Sequence, residues 1–316
     1  EATVSPATLT FTSSNWSTSQ YVAITGVDDD VDDGDQETTV TVSVVDASSD
    51  DAYDPLSNQT VTVTTTDDDT VGYTLSGTTV TVAETGTTAT FTVVLDTQPS
   101  TDVVLTVTSA DTGEATLSPS TLTFTNGNWD STQTVTVTGI DDVILDGPQD
   151  TTVTIAVDDG SSDNTYDDVA DQTVTVTTSD DDSPGISIAQ TEGSTVVGEN
   201  GSIDTFDAVL TTQPLSDVVV SISSADTGEA TVSPSTLTFT DGNWDTTRTV
   251  IVTGVDDTID DGNQDTTVTI SVVDASSDDA YDPLSNQTVT VTTTDDDDPP
   301  TMPVDPFDCA TYPELI

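Results

Sequence analysis

Gln172-Thr-Val-Thr-Val-Thr-Thr-Ser-Asp180-Asp181-Asp182 is an alternating stretch that stops abruptly in three carboxylates. Apolar and Thr residues take turns along it, which is the period-2 pattern of a half-buried β-strand. The run occurs three times, with the other copies at Gln59 to Asp69 and at Gln287 to Asp297, where Asp298 adds a fourth acid. Neighbouring carboxylates repel one another. A folded domain that closes in this way needs either a cation or open water around its last residues.

Working outward from the closing strand, the rest of the unit repeats with it. Glu1-Ala-Thr-Val-Ser-Pro6 recurs as Glu114-Ala-Thr-Leu-Ser-Pro119 and Glu229-Ala-Thr-Val-Ser-Pro234, and Trp16 recurs as Trp129 and Trp244, at spacings of 113 and 115 residues. A period of this length is a whole small β-sandwich rather than a solenoid turn. In the middle copy the pattern predicts strands over 71–75 with 79–82, 88–95, 102–108, 121–125, 133–138, 151–157 and 172–178. Gly, Pro, Asn and Asp turns separate them. Each strand is expected to bury one face, as with Leu122 and Phe124 or Val135 and Val137, and to leave Thr on the other.

The expected organisation is all-β, a series of antiparallel immunoglobulin-like sandwiches. The expected boundaries are 1–69 for the C-terminal half of a sandwich, 70–182 and 183–298 for complete ones, and 299–316 for a Pro-rich tail. Residues 1–69 match the unit only from the Glu-Ala-Thr turn onward, so about three opening strands have no counterpart. Half a sandwich exposes sheet edges and an apolar face. Either the natural chain continues N-terminally, as in a longer tandem array, or another subunit donates strands. The tail, broken by Pro303, Pro306 and Pro313, is not suited to supply them. Almost no linker separates the repeats, which suits a stiff rod better than flexible beads.

Composition narrows function. Among 316 residues there is one Lys or Arg against 59 Asp and Glu, there is no His, and the formal charge is −58. Nucleic acid and anionic membrane, which require a basic footprint, are excluded as partners. Nucleophiles activated by His or Lys are excluded too, leaving only carboxylate chemistry. The single cysteine, Cys309, has no partner for a disulfide within the chain. No apolar run is long enough to span a bilayer, and no secretory signal is seen at the start. Charge, Thr-rich surface and repetition point to a secreted, extracellular or cell-surface protein.

The acids fall in sets that a sandwich can gather at one end. In the middle copy these are Glu84, Asp111, the Asp141-Asp142 pair with Asp146, and Asp180–Asp182. Calcium takes six to eight oxygens at about 2.3–2.6 Å, and clustered carboxylates suit it. The plainer reading is that turns favour Asp and an acidic surface aids solubility. Repetition of the acids at strand ends favours the ion.

At these residues the chain resembles the Calx-β repeat family, in the variant typical of large bacterial surface proteins and adhesins. The resemblance covers roughly residues 1–298. It is carried by Val82-Ala-Glu84-Thr-Gly86 followed by Phe91-Thr-Val-Val-Leu95, and by Val197-Gly-Glu199-Asn-Gly201 followed by Phe206-Asp-Ala-Val-Leu210. Leu122-Thr-Phe-Thr-Asn-Gly-Asn-Trp129, the Asp-Asp loop and the closing acids add to it. The resemblance implies Ca²⁺ ligands at Glu84, Asp111, Asp141, Asp142, Asp146, Asp180, Asp181 and Asp182. In the third copy it implies Glu199, Asp226, Asp256, Asp257, Asp261, Asp295, Asp296 and Asp297. In the first it implies Asp28, Asp29, Asp33, Asp67, Asp68 and Asp69, a site short of partners. Gln36, Gln149 and Gln264 stand where the family can have a further acid.

Other features have plain readings. The loop around Tyr53, Tyr166 and Tyr281 reads as a turn closed by a packed ring. The three Trp residues read as plugs at the sandwich end rather than sugar platforms, and Arg248, standing for Gln20 and Gln133, as an exposed strand position. The expected role is structural and non-enzymatic: a calcium-rigidified stalk of an adhesin, or the subunit of an extracellular filament, whose partners are neighbouring repeats or copies of itself. Any glycan or surface ligand would bind elsewhere in a longer chain. The alternatives are an ion-independent acidic matrix or surface-layer protein and, further off, a carboxylate-based glycan hydrolase or glycan-binding module.

Overall fold

The computed structural model describes residues 1–297. Asp298, Cys309 and the Pro-rich tail lie outside them. The first repeat contributes β1 (Ala2–Ser5), β2 (Ala23–Gly26), β3 (Gln36–Val42) and β4 (Gln59–Thr65), paired as two two-stranded sheets, β1-β2 and β3-β4. The second contributes β5 (Tyr73–Leu75), β6 (Thr79–Ala83), β7 (Thr88–Leu95), β8 (Val103–Ser109), β9 (Ala115–Ser118), β10 (Thr121–Phe124), β11 (Gln133–Gly139), β12 (Gln149–Val157) and β13 (Gln172–Ser179). The third repeats that set as β14 (Ile186–Gln190), β15 (Thr195–Gly198), β16 (Ile203–Leu210), β17 (Val218–Ser224), β18 (Ala230–Ser233), β19 (Thr236–Phe239), β20 (Arg248–Gly254), β21 (Gln264–Val272) and β22 (Gln287–Thr294).

Each complete set packs as two sheets. Their strand orders are β10-β8-β12-β13-β6 over β5-β7-β11-β9, and β15-β22-β21-β17-β19 over β14-β16-β20-β18. The alternation explains the sandwich, because every second residue must leave water. Leu122, Phe124, Val135 and Val137 are buried, as are Leu237, Phe239, Val250 and Val252 at the matching places. The sequence pattern missed one strand, β9, since Ala115–Ser118 reads as part of a turn; Ala115 is nonetheless wholly buried and the strand pairs with β11. Ahead of β9, each complete repeat opens with four strands, β5 to β8 in the second and β14 to β17 in the third.

By contacts the chain divides into two compact units, Glu1–Asp141 with Asp150–Thr178, and Asp142–Gln149 with the described residues from Ser179 on. In the second unit the Asp142–Gln149 loop is bonded to the third repeat. Ile144 forms a parallel bridge with Gln213, whose N–H donates to the Val143 carbonyl at 2.7 Å while the Leu145 N–H donates to the Gln213 carbonyl at 3.1 Å. In the first unit, the equivalent loop of the first repeat accepts the Gln98 N–H at the Asp30 carbonyl (2.7 Å) and the Val71 N–H at Asp32 Oδ2 (3.0 Å).

Tyr166 and Tyr281 close their turns as expected, whereas Tyr53 in the first repeat is exposed. The rings of Tyr166 and Tyr281 are fully buried, and the Tyr281 hydroxyl donates to the Thr212 carbonyl at 2.7 Å. Below Tyr166 burial opposes ionisation of Asp163, but hydrogen bonds from Ser100, Thr101 and Thr165 outweigh it and hold this carboxyl well below the usual range. Tyr281→Phe should cost about 1 kcal/mol, the net worth of one buried hydrogen bond, measurable by urea unfolding. Trp129 and Trp244 pack half-buried against their cores, whereas Trp16 is exposed. Arg248 departs from expectation: it is half-buried at the start of β20, and its Nε has no hydrogen-bond partner.

Candidate metal centre

The third repeat shows how the fold gathers carboxylates. Strand β15 pairs with β22 in parallel, Gly198 opposite Thr294, so the two strands end at the same level. Glu199 follows one and Asp295 the other, and the Glu199 N–H donates to the Thr294 carbonyl at 3.2 Å. Past β22 the acids keep the period-2 alternation: Asp295 and Asp297 turn inward and are half-buried, while Asp296 turns outward and is exposed. Glu199, Asp295 and Asp297 each bring a carboxylate oxygen to within 4.8 Å of the others. In the second repeat Glu84 is likewise buried after its strand, and after the closing strand Asp180 and Asp182 are half-buried while Asp181 is exposed.

Within the triplet the first acid is a staple. Asp295 accepts the Gly262 N–H at Oδ2 (2.6 Å) and the Asp297 N–H at Oδ1 (2.9 Å). Those two donors hold its carboxyl below the ordinary range. Asp180 binds Gly147 and Asp182 identically (2.7 Å each), and Asp67 binds Gly34 and Asp69. The loop glycines Gly34, Gly147 and Gly262 have φ of 72°, 71° and 73°, a region open to glycine and strained for other residues. That geometry turns the N–H toward the staple.

The remaining acids are left with charge and little solvation. Glu199 is nearly fully buried and its Oε2 has no hydrogen-bond partner. Burial pushes its carboxyl up, Asp295, Asp257 and Asp261 push the same way, and the Asp296 N–H only partly opposes them. Asp297 is also raised, first by burial and then by Asp295, Asp296, Asp256 and Asp257, and its Oδ2 too is without a partner. A buried carboxylate normally finds donors or a metal. Several in one corner, each raising the next, form a cage suited to a hard divalent cation.

The loop acids divide in role. Asp257 accepts the Ile259 N–H at 2.7 Å, and Asp142 and Asp29 accept those of Ile144 and Val31, so the second acid of each pair shapes the loop with one oxygen. Asp141, Asp256 and Asp28 are exposed. Asp146 is half-buried and raised, mainly by burial and then by Asp142 and Asp180; Asp261, its match, is exposed. Asp111 and Asp226, expected as ligands, are exposed and cap their own turns by accepting the Gly113 and Gly228 N–H groups at 2.8 Å.

The sequence pattern missed Glu229 and its counterpart Glu114, read only as repeat markers. Glu229 is half-buried and stitched between the Asp-Asp loop and the closing strand, its carbonyl accepting from the Val255 N–H (2.9 Å) and the Thr293 hydroxyl (3.3 Å). Burial raises its carboxyl, with Asp261, Asp226 and Asp257 adding to it, and Oε2 has no hydrogen-bond partner. The available signal was its position directly before β18, at the sandwich end where the other acids meet. The glutamines are explained as well. Gln264, Gln149 and Gln36 donate from Nε2 to the carbonyls of Asp261, Asp146 and Asp33 at 3.1, 3.0 and 2.9 Å, a bond that a carboxylate has no proton to make.

In the first repeat Asp28, Asp29, Asp33 and Asp67–Asp69, with Glu1, line an open cavity of about 250 Å³. Asp69 is raised by burial and by Asp67, Asp68, Asp30 and Asp28.

Backbone packing fixes the buried glutamate. A Cβ on Gly254 would lie 2.2 Å from the Gly198 carbonyl oxygen, and one on Gly139 would lie 2.2 Å from that of Ala83. Gly254→Ala should therefore displace the residue before Glu199, cost about 1–3 kcal/mol as overpacking does, and weaken cation binding in the same repeat. Chemical denaturation and metal titration read the two effects separately.

No family model matches the sequence, and no curated protein matches it. Among solved structures, domains 4 and 5 of the S-layer protein SbsC align at 20% identity over 60% of this chain and 70% of that one, with a TM-score of 0.29. CBD12 from CALX1.2 aligns at 15% identity over 63% and 79%, with a TM-score of 0.28. The apo form of the Calx CBD1 domain aligns at 14% over 35% and 98%, with a TM-score of 0.25. Likenesses this distant carry no argument about chemistry, which must rest on the residues. No helix among the described residues is long and apolar enough to cross a membrane.

Proposed function

We propose that this chain is part of an extracellular, cell-surface structural protein built from Calx-β-like sandwiches, in which carboxylate cages take Ca²⁺ and steady the joints between repeats. One observation carries the reading: Glu199, Asp295 and Asp297 converge within 4.8 Å while Glu199 Oε2 and Asp297 Oδ2 lack any hydrogen-bond partner. Repulsion of that kind is tolerated when a cation neutralises it. Glu199, Glu229, Asp257, Asp295 and Asp297 would hold the ion in the third repeat, with Glu84, Glu114, Asp142, Asp146, Asp180 and Asp182 in the second. The ion would supply charge neutralisation and draw the carboxylate oxygens into a fixed shell. The chain's part is to place the oxygens and exclude water from them.

The Asp142–Gln149 loop carries Asp142 and Asp146 and is bonded by its backbone to Gln213, so an ion held by those acids would order this loop. Neighbouring repeats or further copies are the partners this reading calls for, in a stalk or a filament. Calorimetric titration of the chain with Ca²⁺ tests it. At least two sites of sub-millimolar affinity are expected, and the paired substitution Glu84→Gln with Glu199→Gln should remove both. A flat titration would overturn the calcium reading and leave the acidic matrix protein in its place.

A further inference from the structure

The turn that follows Glu199 carries a chemistry that the cage does not use. Of the chain's Asn residues only Asn126 and Asn200 stand before a Gly. Asparagine is a thermolabile residue. A glycine after it has no side chain to crowd the approach of its own backbone nitrogen to the asparagine carboxamide.

The two pairs differ in geometry. Asn200 is exposed at the tip of the turn between β15 and β16. The Ser202 N–H donates to its Oδ1 at 3.1 Å, an Asx turn that folds the carboxamide back over the Gly201 peptide. The same bond draws electrons away from Cγ, as a donor in an oxyanion hole does. Gly201 has a φ of 81°, and nothing lies within 4 Å of the place a Cβ would take there. Its N–H donates to the Gly198 carbonyl at 3.1 Å, in an exposed turn where water can take the proton. Asn126 has the same dipeptide without this arrangement. The N–H two residues on, that of Asn128, donates to the Thr125 carbonyl at 3.1 Å, and the Asn126 carbonyl is held by Gln98 Nε2 at 2.8 Å.

We propose that Asn200 is a self-deamidating residue whose conversion ages the cage of the third repeat. The Gly201 nitrogen, its proton passing to water, bonds to Asn200 Cγ; the Cγ–Nδ2 bond breaks and Nδ2 leaves as ammonia, closing a succinimide ring. Water then opens the ring at Cγ to give aspartate, or at the α-carbonyl carbon to give isoaspartate, whose main chain is longer by a methylene. The turn has no slack for that methylene. The Gly198 N–H donates to Ser202 Oγ at 2.6 Å, the Gly254 N–H donates to the Ser202 carbonyl at 3.1 Å, and Gly198 backs directly onto Gly254. A longer chain between Gly198 and Ser202 breaks these bonds and displaces Glu199. The deamidation stands alone, whereas its effect on the cage rests on the calcium reading above. In the second repeat Thr85 takes the place of Asn200, so that turn has no carboxamide to convert.

The test ages the full chain in warm, mildly alkaline buffer and maps its peptides by mass spectrometry, with an isoaspartyl methyltransferase assay reporting the longer product. Asn200 should convert faster than Asn126 by on the order of tenfold. Calorimetric titration of the aged chain with Ca²⁺ should show one class of site weakened by on the order of tenfold. Asn200→Thr, which copies the turn of the second repeat, should keep its titration unchanged through the same ageing. Conversion of Asn200 no faster than that of Asn126 would overturn the reactive turn. Conversion with an unchanged titration would overturn the effect on the cage. A fresh chain that takes up no Ca²⁺ would overturn the calcium reading, and the effect on the cage with it, but not the deamidation.

Discussion

Moving the chain from 10 mM calcium into excess chelator should lower the main melting midpoint by about 10 °C. At a hundredfold excess over its dissociation constant, a ligand that binds only the folded state adds about 2.7 kcal/mol per site. Extracellular calcium modules bind at about 10⁻⁴ M, so 10 mM meets that condition. For domains near a hundred residues, each kcal/mol moves the midpoint by roughly 4 °C or more. The effect should be specific to divalent cations of calcium's size. Sodium at equal ionic strength screens the −58 charge but, with a single charge, neutralises the converging carboxylates far less than calcium does. Magnesium, which keeps its water and demands tight octahedral geometry, should restore less than half of the shift. Differential scanning calorimetry in the four buffers reads this out.

The second large effect is a reversal of sign. Glu199→Gln removes a buried charge repelled by Asp295, Asp257 and Asp261, so in chelator this variant should melt above the wild type. In calcium it should melt below it, and the calcium shift of the third repeat should fall to less than half. A residue holding only structure would change stability in the same direction in both buffers.

The pH profile should reverse likewise. Glu199, Glu229 and Asp297 have carboxyls raised in the folded state. Their contribution is fully present below the ordinary carboxylate range near ~4 and is lost as pH rises through their raised values. Acidifying the chelated chain from neutral pH toward that range should therefore raise its midpoint. Asp163 and Asp295, both lowered, contribute stability above the ordinary range that disappears as pH falls through their own values, so the gain should turn to loss at the acid end. In calcium the first limb should invert, because protons then compete with the ion for the same oxygens.

The sandwich was legible because its strands alternate with few interruptions. Leu122, Phe124, Val135 and Val137 bury where the pattern placed them, since period 2 leaves a strand no other way to hide its apolar side. Strand β9 escaped because Ala115–Ser118 is short and follows a turn, so its burial comes from pairing with β11 rather than from any pattern of its own.

The acids were legible as a set but not as individuals. Composition marks which loops are acidic, whereas backbone geometry decides which oxygens converge. Asp295 and Asp297 point inward and Asp296 outward for the same reason that the preceding Val and Thr residues alternate. Asp111 and Asp226 spend an oxygen on the glycine N–H two residues on, a local bond that an Asp-x-Gly turn always offers. Glu114 and Glu229 looked like markers of the repeat because each opens the repeated Glu-Ala-Thr turn, while Asp111 and Asp226 three residues earlier drew the ligand assignment. Only the return of the closing strand past Thr178 and Thr293 brings them to the cage.

The convergent carboxylates at the end of the closing strand are placed to hold an ion. Anomalous diffraction from crystals of the full chain grown with calcium tests this most directly. A calcium peak is expected in the third repeat, with oxygens of Glu199, Asp295 and Asp297 at about 2.3–2.6 Å. A well-ordered cage with no anomalous peak, its carboxylates turned outward to water, would contradict it.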